Sequence, residues 1–348
     1  MNESHRPARR WLRNLLTLLL AGLAVYLVLP QIASLEHSVQ VIKGMTWWAV
    51  ALAAGAQVVS YLGSGILLTA IAAMTGDRLS VMRGTLITAA SNSVGLVAGG
   101  MVGSGASAYR WVRGSGVSSE GALLALWLPG LAGDSVLLLV AILGLPYLLV
   151  VHDLTALQAI SFGLILLALS FLVAGIARGA RRRPQLANWA ARLAGRWAAL
   201  RHRPFDPTRI QTSAAHLFDG LNRLGSGGWR GPTLGAAINI VFDMLTLYLV
   251  FIAAGHRVSP EVLLAGYGLP LLLGKVPLLP GGAGIVESSM AALYTSLGVP
   301  KQVAVLVVLT YRFLSFWLPS LLGFALVPYL QHGVSGFEDE LALRRDSV

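Results

Sequence analysis

The chain has 348 residues, 55% hydrophobic and 12% charged, with a mean hydropathy of +0.70; no water-soluble domain hides so many apolar residues, so it reads as an all-α polytopic membrane protein. It contains no cysteine, which excludes disulfides, zinc–thiolate sites and a cysteine nucleophile. The net charge of +11 is nearly all arginine; in so apolar a chain it reports the positive-inside bias and anionic lipid, and no nucleic-acid partner is expected.

Residues 1–14 carry Arg6, Arg9, Arg10 and Arg13 and read as a cytoplasmic basic N-terminus. No small-residue cleavage site ends the apolar run that follows, so it is a retained first span, Leu15–Ile32, and not a signal peptide. Trp47 and Trp48 sit where an aromatic belt belongs, and Ala49–Met74 crosses back to a cytoplasmic turn with Arg78 and Arg83. The next stretch, Thr85–Gly116, is apolar enough to enter the membrane yet holds Asn92 and repeated glycines. It is either a full span or a re-entrant hairpin returning at Arg110 and Arg113. Two long spans follow, Ala122–Val151 and Leu154–Ala177, and then the basic run Arg178–Arg183. A hairpin over 85–114 keeps that run inside and a full span does not, so the hairpin is chosen and the first membrane half is 15–177.

Residues 178–231 contain eleven arginines against Asp206 and Asp219. Leu186, Trp189, Leu193, Trp197 and Leu200 share one helical face, which suits either helices in the anionic inner interface or a linker helix packed on the bundle. The second membrane half, 232–331, opens with the outward span Pro232–Ala254 and contains a second hairpin over 261–297. Val303–Leu330 crosses back in, and 332–348 is a cytoplasmic tail.

The two halves echo each other. Thr75–Ser80 (TGDRLS) resembles Ala254–Ser259 (AGHRVS) at a shift of 179, while Gly99–Gly100 and Gly116–Val117 recur as Gly281–Gly282 and Gly298–Val299 at a shift of 182. The first polar turn lies inside and the second outside, so the copies are inverted. The predicted architecture is about six full spans plus two re-entrant helical hairpins in an inverted repeat. That is the design of alternating-access transport, with its site at mid-membrane where the copies meet.

The second hairpin carries the chemistry. KVPLLPGGAGIVESSM, Lys275–Met290, places Pro280, Gly281, Gly282, Gly284 and Glu287 between apolar runs. Broken backbone at membrane depth survives only inside protein or beside water, and a charge at the centre of a span costs roughly 2.5–3.5 kcal/mol on insertion scales. The amides of Gly281–Ile285, freed by the break, form a natural phosphate cradle, unless the glycines serve only turn-making and packing. Glu287 lies in the following first turn and either favours the positive helix end or acts on substrate. Lys275 can swing toward Glu287 or an anionic headgroup, or hold a plain ion pair. Tyr311 and Arg312 lie deep in the last span, where Arg312 faces the interior or snorkels. Asp134 and Asp243 are the other embedded acids, structural or coupling residues, and Lys275 and Arg312 are almost the only bases at similar depth. Asn92, with Tyr109 and Arg110 at the end of the first hairpin, completes the candidate substrate-binding set.

LPLLPGGAGIVESSM followed by YRFLSFWLP resembles the lysylphosphatidylglycerol synthase transmembrane-region family of flippase-like membrane proteins. The likeness covers most of residues 12–330, and Pro280–Glu287 (PGGxGxxE) is its most specific part. Asn92, Gly105, Tyr109, Arg110 and Asp134 look like the family's first-half features. The family often has an acid after glycine there, whereas repeat register puts Gly105 opposite Glu287, which leaves open a different substrate or coupling. The resemblance implies lipid translocation and not synthesis; the aminoacyl transferase domain of full-length members is expected to be absent from a chain that stops at Val348. The function expected is therefore a phospholipid translocase of the inner membrane, non-enzymatic and without cofactor, with both termini cytoplasmic. Its partners would be anionic or aminoacylated phospholipids, with homo-oligomerisation or a neighbouring lipid-modifying enzyme as further expectations. The rivals are a membrane-embedded transferase acting on a lipid carrier, and a non-transporting partner of an envelope enzyme.

Overall fold

The computed structural model describes residues 45–98, 100–151, 167, 228–275 and 280–331. The expected spans Leu15–Ile32 and Leu154–Ala177, most of the Arg-rich segment, and both termini lie outside the described residues.

The described elements are helices: α1 (Trp47–Ala73), α2 (Val81–Val97), α3 (Met101–Arg113), α4 (Ser119–Val151), α5 (Arg230–Ala253), α6 (Pro260–Leu273) and α7 (Ile285–Ser296). The last, α8, runs Lys301–Gln331 through one wider π turn at Phe313–Trp317. Four stretches are long and apolar enough to cross a membrane: Trp47–Met74, Ser119–Gly144, Arg230–Ala253 and Lys301–Gln331. At 1.5 Å per residue they reach about 36–46 Å, more than a bilayer core of about 30 Å. With 17, 13, 14 and 12 residues, α2, α3, α6 and α7 reach only about 18–26 Å and fall short of it.

The order long, short, short, long therefore occurs twice, and its punctuation matches. Ser80 and Ser259 cap α2 and α6, each side chain accepting from the amide three residues on, Arg83 at 3.3 Å and Val262 at 3.4 Å. Gly76 and Gly255 both have positive φ (+84° and +70°), as do Gly100 and Gly282 (+65° and +66°) and Gly116 and Gly298 (+85° and +89°). Only glycine takes these turns without strain, so the recurring sequence marks a recurring backbone.

The corresponding helices α1 and α5 pack against each other in antiparallel sense. Ala53, Ser60 and Leu67 climb α1 while their partners Thr246, Asn239 and Gly235 descend α5. A Cβ on Gly63 would lie 2.5 Å from the Asn239 nitrogen, and one on Gly235 would lie 2.4 Å from the Leu67 nitrogen. Lipid supplies no hydrophobic drive between helices, so small residues that allow backbone approach, with polar bonds across the seam, hold them together. Ser60 Oγ donates to the Asn239 carbonyl at 2.9 Å, and Asn239 Nδ2 donates to the Ser60 carbonyl at 3.0 Å. Ser60 and Asn239 are themselves 179 residues apart, the repeat spacing.

Each half also crosses onto the other. Gly268 of α6 meets Ala141 of α4, and Gly323 of α8 meets Ala89 of α2. Applying the repeat shifts to one contact yields the other. A large apolar core joins α4 to α8 with the α1 seam, and a second at the opposite end joins Leu79, Ile87, Trp111 and Val112 to Leu330 of α8.

The α1–α2 turn is pinned to the α3–α4 turn. Asp77 Oδ2 accepts from Thr75 Oγ1 and from Ser118 Oγ, each at 2.5 Å. Partial burial alone would raise the Asp77 carboxyl, but the Ser118 and Thr75 hydroxyls, the Ser118 amide and the nearby Arg113 outweigh it and hold it below the usual carboxylate range.

Candidate functional site

The backbone break in the second half is a 3₁₀ turn at Pro280–Gly282 that leads into α7. The helices on either side run back along each other: Gly274 abuts Val286, and Gly266 abuts Tyr294, whose hydroxyl donates to the Leu263 carbonyl at 3.2 Å. At its three glycines the turn resists any side chain. Gly281, Gly282 and Gly284 all have positive φ, a Cβ on Gly281 would strike the Phe316 ring at 2.2 Å, and one on Gly282 would approach the Gly274 backbone at 2.7 Å. Here glycine is required by both conformation and packing.

Breaking a helix leaves amides and carbonyls without partners. Glu287 and Arg312 supply them. Glu287 Oε2 accepts from the Gly284 amide at 2.7 Å, while Oε1 accepts from Arg312 Nε at 2.8 Å. Arg312 Nη2 donates to the Gly281 carbonyl at 3.1 Å, and its guanidinium lies 4.1 Å above the centre of the Phe316 ring. Both residues are only 5% exposed. One charge pair thus satisfies both sides of the break and ties the loop to α8. Arg312 faces the interior; it does not snorkel. The phosphate cradle expected on the Gly281–Ile285 amides is already entered by the protein's own carboxylate at Gly284.

The other embedded charges sort differently from a simple pairing of two acids with two bases. Lys275 Nζ pairs with Asp134 Oδ1 on α4, and their side chains are 47% and 26% exposed. Asp243 on α5 is paired with no such base among the described residues; its Oδ2 accepts from the hydroxyls of Tyr267 on α6 and Tyr311 on α8, at 2.6 Å each. Tyr311 is therefore a buried donor to Asp243, 1% exposed. Around this acid stand Gln57 and Tyr61 of α1, with the Tyr61 hydroxyl 3.4 Å from the Ser315 carbonyl of α8.

Asn92 sits beside Tyr61 on an exposed face of α2. Leu96, one turn on, would touch a Cβ at Gly281, so the end of α2 meets the turn before α7. Tyr109 and Arg110 are not part of this assembly: Tyr109 packs half-buried in the core with Trp111 and Leu330, and Arg110 is exposed. Gly105, in register with Glu287, faces α4 so closely that a Cβ would lie 2.8 Å from the Leu126 carbonyl. No acid fits there without parting α3 from α4.

Tyr267, Gln57, Tyr61 and Phe316 escaped the sequence reading. The signal for Tyr267 is its hydroxyl in an otherwise apolar helix, since a buried phenol needs an acceptor and Asp243 is an embedded acid needing a donor. Gln57 and Tyr61 lie on α1 faces that no periodicity separates from packing positions.

These features define a class: an α-helical multi-pass membrane protein whose glycine-broken helices meet inside the bundle at buried charge. Residues 14–323 match the family described as Lysylphosphatidylglycerol synthase TM region, and the chain belongs to that family. It is similar to a UPF0104 membrane protein of Methanothermobacter thermautotrophicus, 36% identical over 95 residues that make up 27% of this chain and 28% of the relative. UPF0104 membrane protein PH1989 of Pyrococcus horikoshii is 36% identical over 85 residues, 24% of this chain and 25% of the relative. UPF0104 membrane protein MJ1595 of Methanocaldococcus jannaschii is 28% identical over 123 residues, 34% and 37% respectively. The chain thus spans about a quarter to a third of the length of the relatives it matches.

Proposed function

We propose that the protein is a phospholipid translocase of the cytoplasmic membrane, moving an anionic or aminoacylated headgroup between leaflets. The observation that carries this reading is the Glu287–Arg312 pair, buried at the tip of a helix pair too short to span. A phosphate is a better bidentate partner for Arg312 than a carboxylate already shared with a backbone amide. A headgroup entering between the tips would take Arg312 and the Gly284 amide, freeing Glu287 to meet an amine. Half-exposed Lys275, paired with Asp134, could exchange that partner for the phosphate of an anionic lipid. Acyl tails stay in the bilayer while the headgroup passes.

The scaffold is six spans and two re-entrant hairpins, α2–α3 and α6–α7, in an inverted repeat. The antiparallel seam of α1 and α5 and the exchanged α4–α6 and α8–α2 contacts support it. So does charge. Arg78, Arg83, Arg113 and Arg230 lie at the end of the bundle where α1 finishes and α5 begins, against Arg257 and Lys301 at the other. The richer end is the cytoplasmic one. Because the chain has no cysteine, single replacements read topology cleanly. Arg110→Cys and Arg178→Cys are expected to react with an impermeant maleimide from the cytoplasm, and Lys301→Cys from outside. Labelling of Arg110→Cys and Arg178→Cys from opposite sides would remove the first hairpin.

Transport is tested with purified protein in liposomes of phosphatidylethanolamine and phosphatidylglycerol carrying a fluorescent headgroup lipid that an external reductant quenches. The wild type is expected to expose inner-leaflet label, and Glu287→Gln to lose at least a tenfold share of that rate. Inactivity of the wild type toward anionic, zwitterionic and lysyl-substituted lipids alike would overturn the reading and favour a partner role.

A further inference from the structure

Each of the three embedded acids in the described bundle has a different kind of partner. Glu287 has Arg312 and Asp134 has Lys275. Asp243, in the middle of α5, is met among the described residues only by neutral donors: the hydroxyls of Tyr267 and Tyr311, both on Oδ2, and the side-chain amide of Gln57. The groups facing it are Gln57 and Tyr61 on α1, Tyr267 on α6, and Tyr311 with Arg312 on α8; α4 also packs on α5, and its acid, Asp134, is paired with Lys275. Of the facing groups only Arg312 is charged, and its guanidinium is bonded to Glu287 and to the Gly281 carbonyl. Asp243 is also partly exposed.

A second observation points the same way. Gln57 is 6% exposed and stands beside Asp243, yet its Oε1 has no hydrogen-bond donor. A buried acceptor left without a donor is costly. A carboxylic acid has a proton to give and a carboxylate has none. One rotation of the Gln57 amide brings its oxygen to that proton. The ionised state leaves Gln57 Oε1 unsatisfied, and the protonated state has a donor for it.

We propose that Asp243 is a reversible proton-binding site of the bundle, with Gln57 as the acceptor for the bound proton and the Tyr267 and Tyr311 hydroxyls as the groups that hold the ionised form. The proton binds the free carboxylate and leaves to water, with no other bond made or broken. The site ties α1, α5, α6 and α8 together in one charge state and loosens the two tyrosine bonds in the other. This rests on the translocase reading only for its use, as the group through which a proton gradient drives lipid movement; the site itself stands on the geometry.

The test reads protonation directly. Infrared difference spectra are recorded on the full chain in phosphatidylethanolamine–phosphatidylglycerol vesicles as pH is stepped. The wild type is expected to show a carboxylic-acid C=O band that disappears as pH rises, that Asp243→Asn removes, and that Glu287→Gln retains. Tyr311→Phe and Tyr267→Phe each withdraw a bond from the charged form and are expected to move the midpoint up by about one pH unit or more. Gln57→Leu is expected to move it as well, because the charged form loses an amide donor and the acid form loses its acceptor. No titrating band, a band unaltered in Asp243→Asn, or unmoved midpoints in all three partner variants overturns the proposal. The band is read without transport, so its presence in vesicles that move no lipid would sink the translocase reading and leave the proton site standing.

Discussion

Arg312→Gln is expected to cost about 3–5 kcal/mol of stability, and Glu287→Gln a comparable amount, while the double variant costs far less than their sum. The physical reason is the burial of the pair. Removing one partner leaves a full charge in the interior without its bonded counter-ion, and also strips a bond from the helix break: the donor to the Gly281 carbonyl in one case, the charged acceptor for the Gly284 amide in the other. Removing both charges ends the desolvation cost as well as the attraction. Arg312→Lys is not a rescue, because an ammonium cannot reach Glu287, Gly281 and the Phe316 face together from one planar group. Unfolding of the solubilised protein by heat or dodecyl sulfate measures all four. Additive losses would mean that the two side chains act separately and that the pair does not tie the loop to α8.

Gly235→Val should damage the fold more generally. The new Cβ would sit 2.4 Å from the Leu67 nitrogen and 2.6 Å from its Cα. Both are backbone atoms of a helix, so no rotamer relieves the overlap and α1 must move away from α5. That movement weakens the Ser60–Asn239 bonds and the Thr246–Ala53 bond along the same seam. Overpacking typically costs about 1–3 kcal/mol, and the lost interhelical bonds average about 0.6 kcal/mol each, so about 3 kcal/mol or more is expected. Gly130→Ala is the control, since nothing lies within 4 Å of its added carbon; it should be neutral or gain about 0.4–1 kcal/mol from the stiffer unfolded chain. Equal melting of both variants would contradict the close seam.

Much of this arrangement was legible in the sequence because it is written in residues with sharp physical meaning. Serine caps and positive-φ glycines recur at fixed spacing, so the repeat could be read from Thr75–Ser80 against Ala254–Ser259 and from the glycine pairs recurring 182 residues on. Glu287 stood out because a carboxylate beside a glycine-broken apolar run has few bland explanations. Its partner did not. Arg312, Lys275, Asp134 and Asp243 allow several pairings, and sequence separation says nothing about which side chains converge. Nor could composition tell that the glycines at 281 and 282 are closed against Phe316 and Gly274, leaving less open amide than a cradle implies. Gly105 was visible as a departure, but its cause, contact with the Leu126 carbonyl, exists only in three dimensions.

The halves match in backbone and differ in charge. Where the second has Glu287 and Arg312, the same register in the first holds Gly105 and Gly130. If the two halves trade conformations, the trade is uneven: one arrangement keeps a buried ion pair and its mirror image has none to keep. Since each 1.4 kcal/mol shifts an equilibrium tenfold, even a modest net bond at 287–312 gives the molecule a strongly preferred resting orientation. On the translocase reading proposed above, a bound headgroup would supply the bias that reverses it.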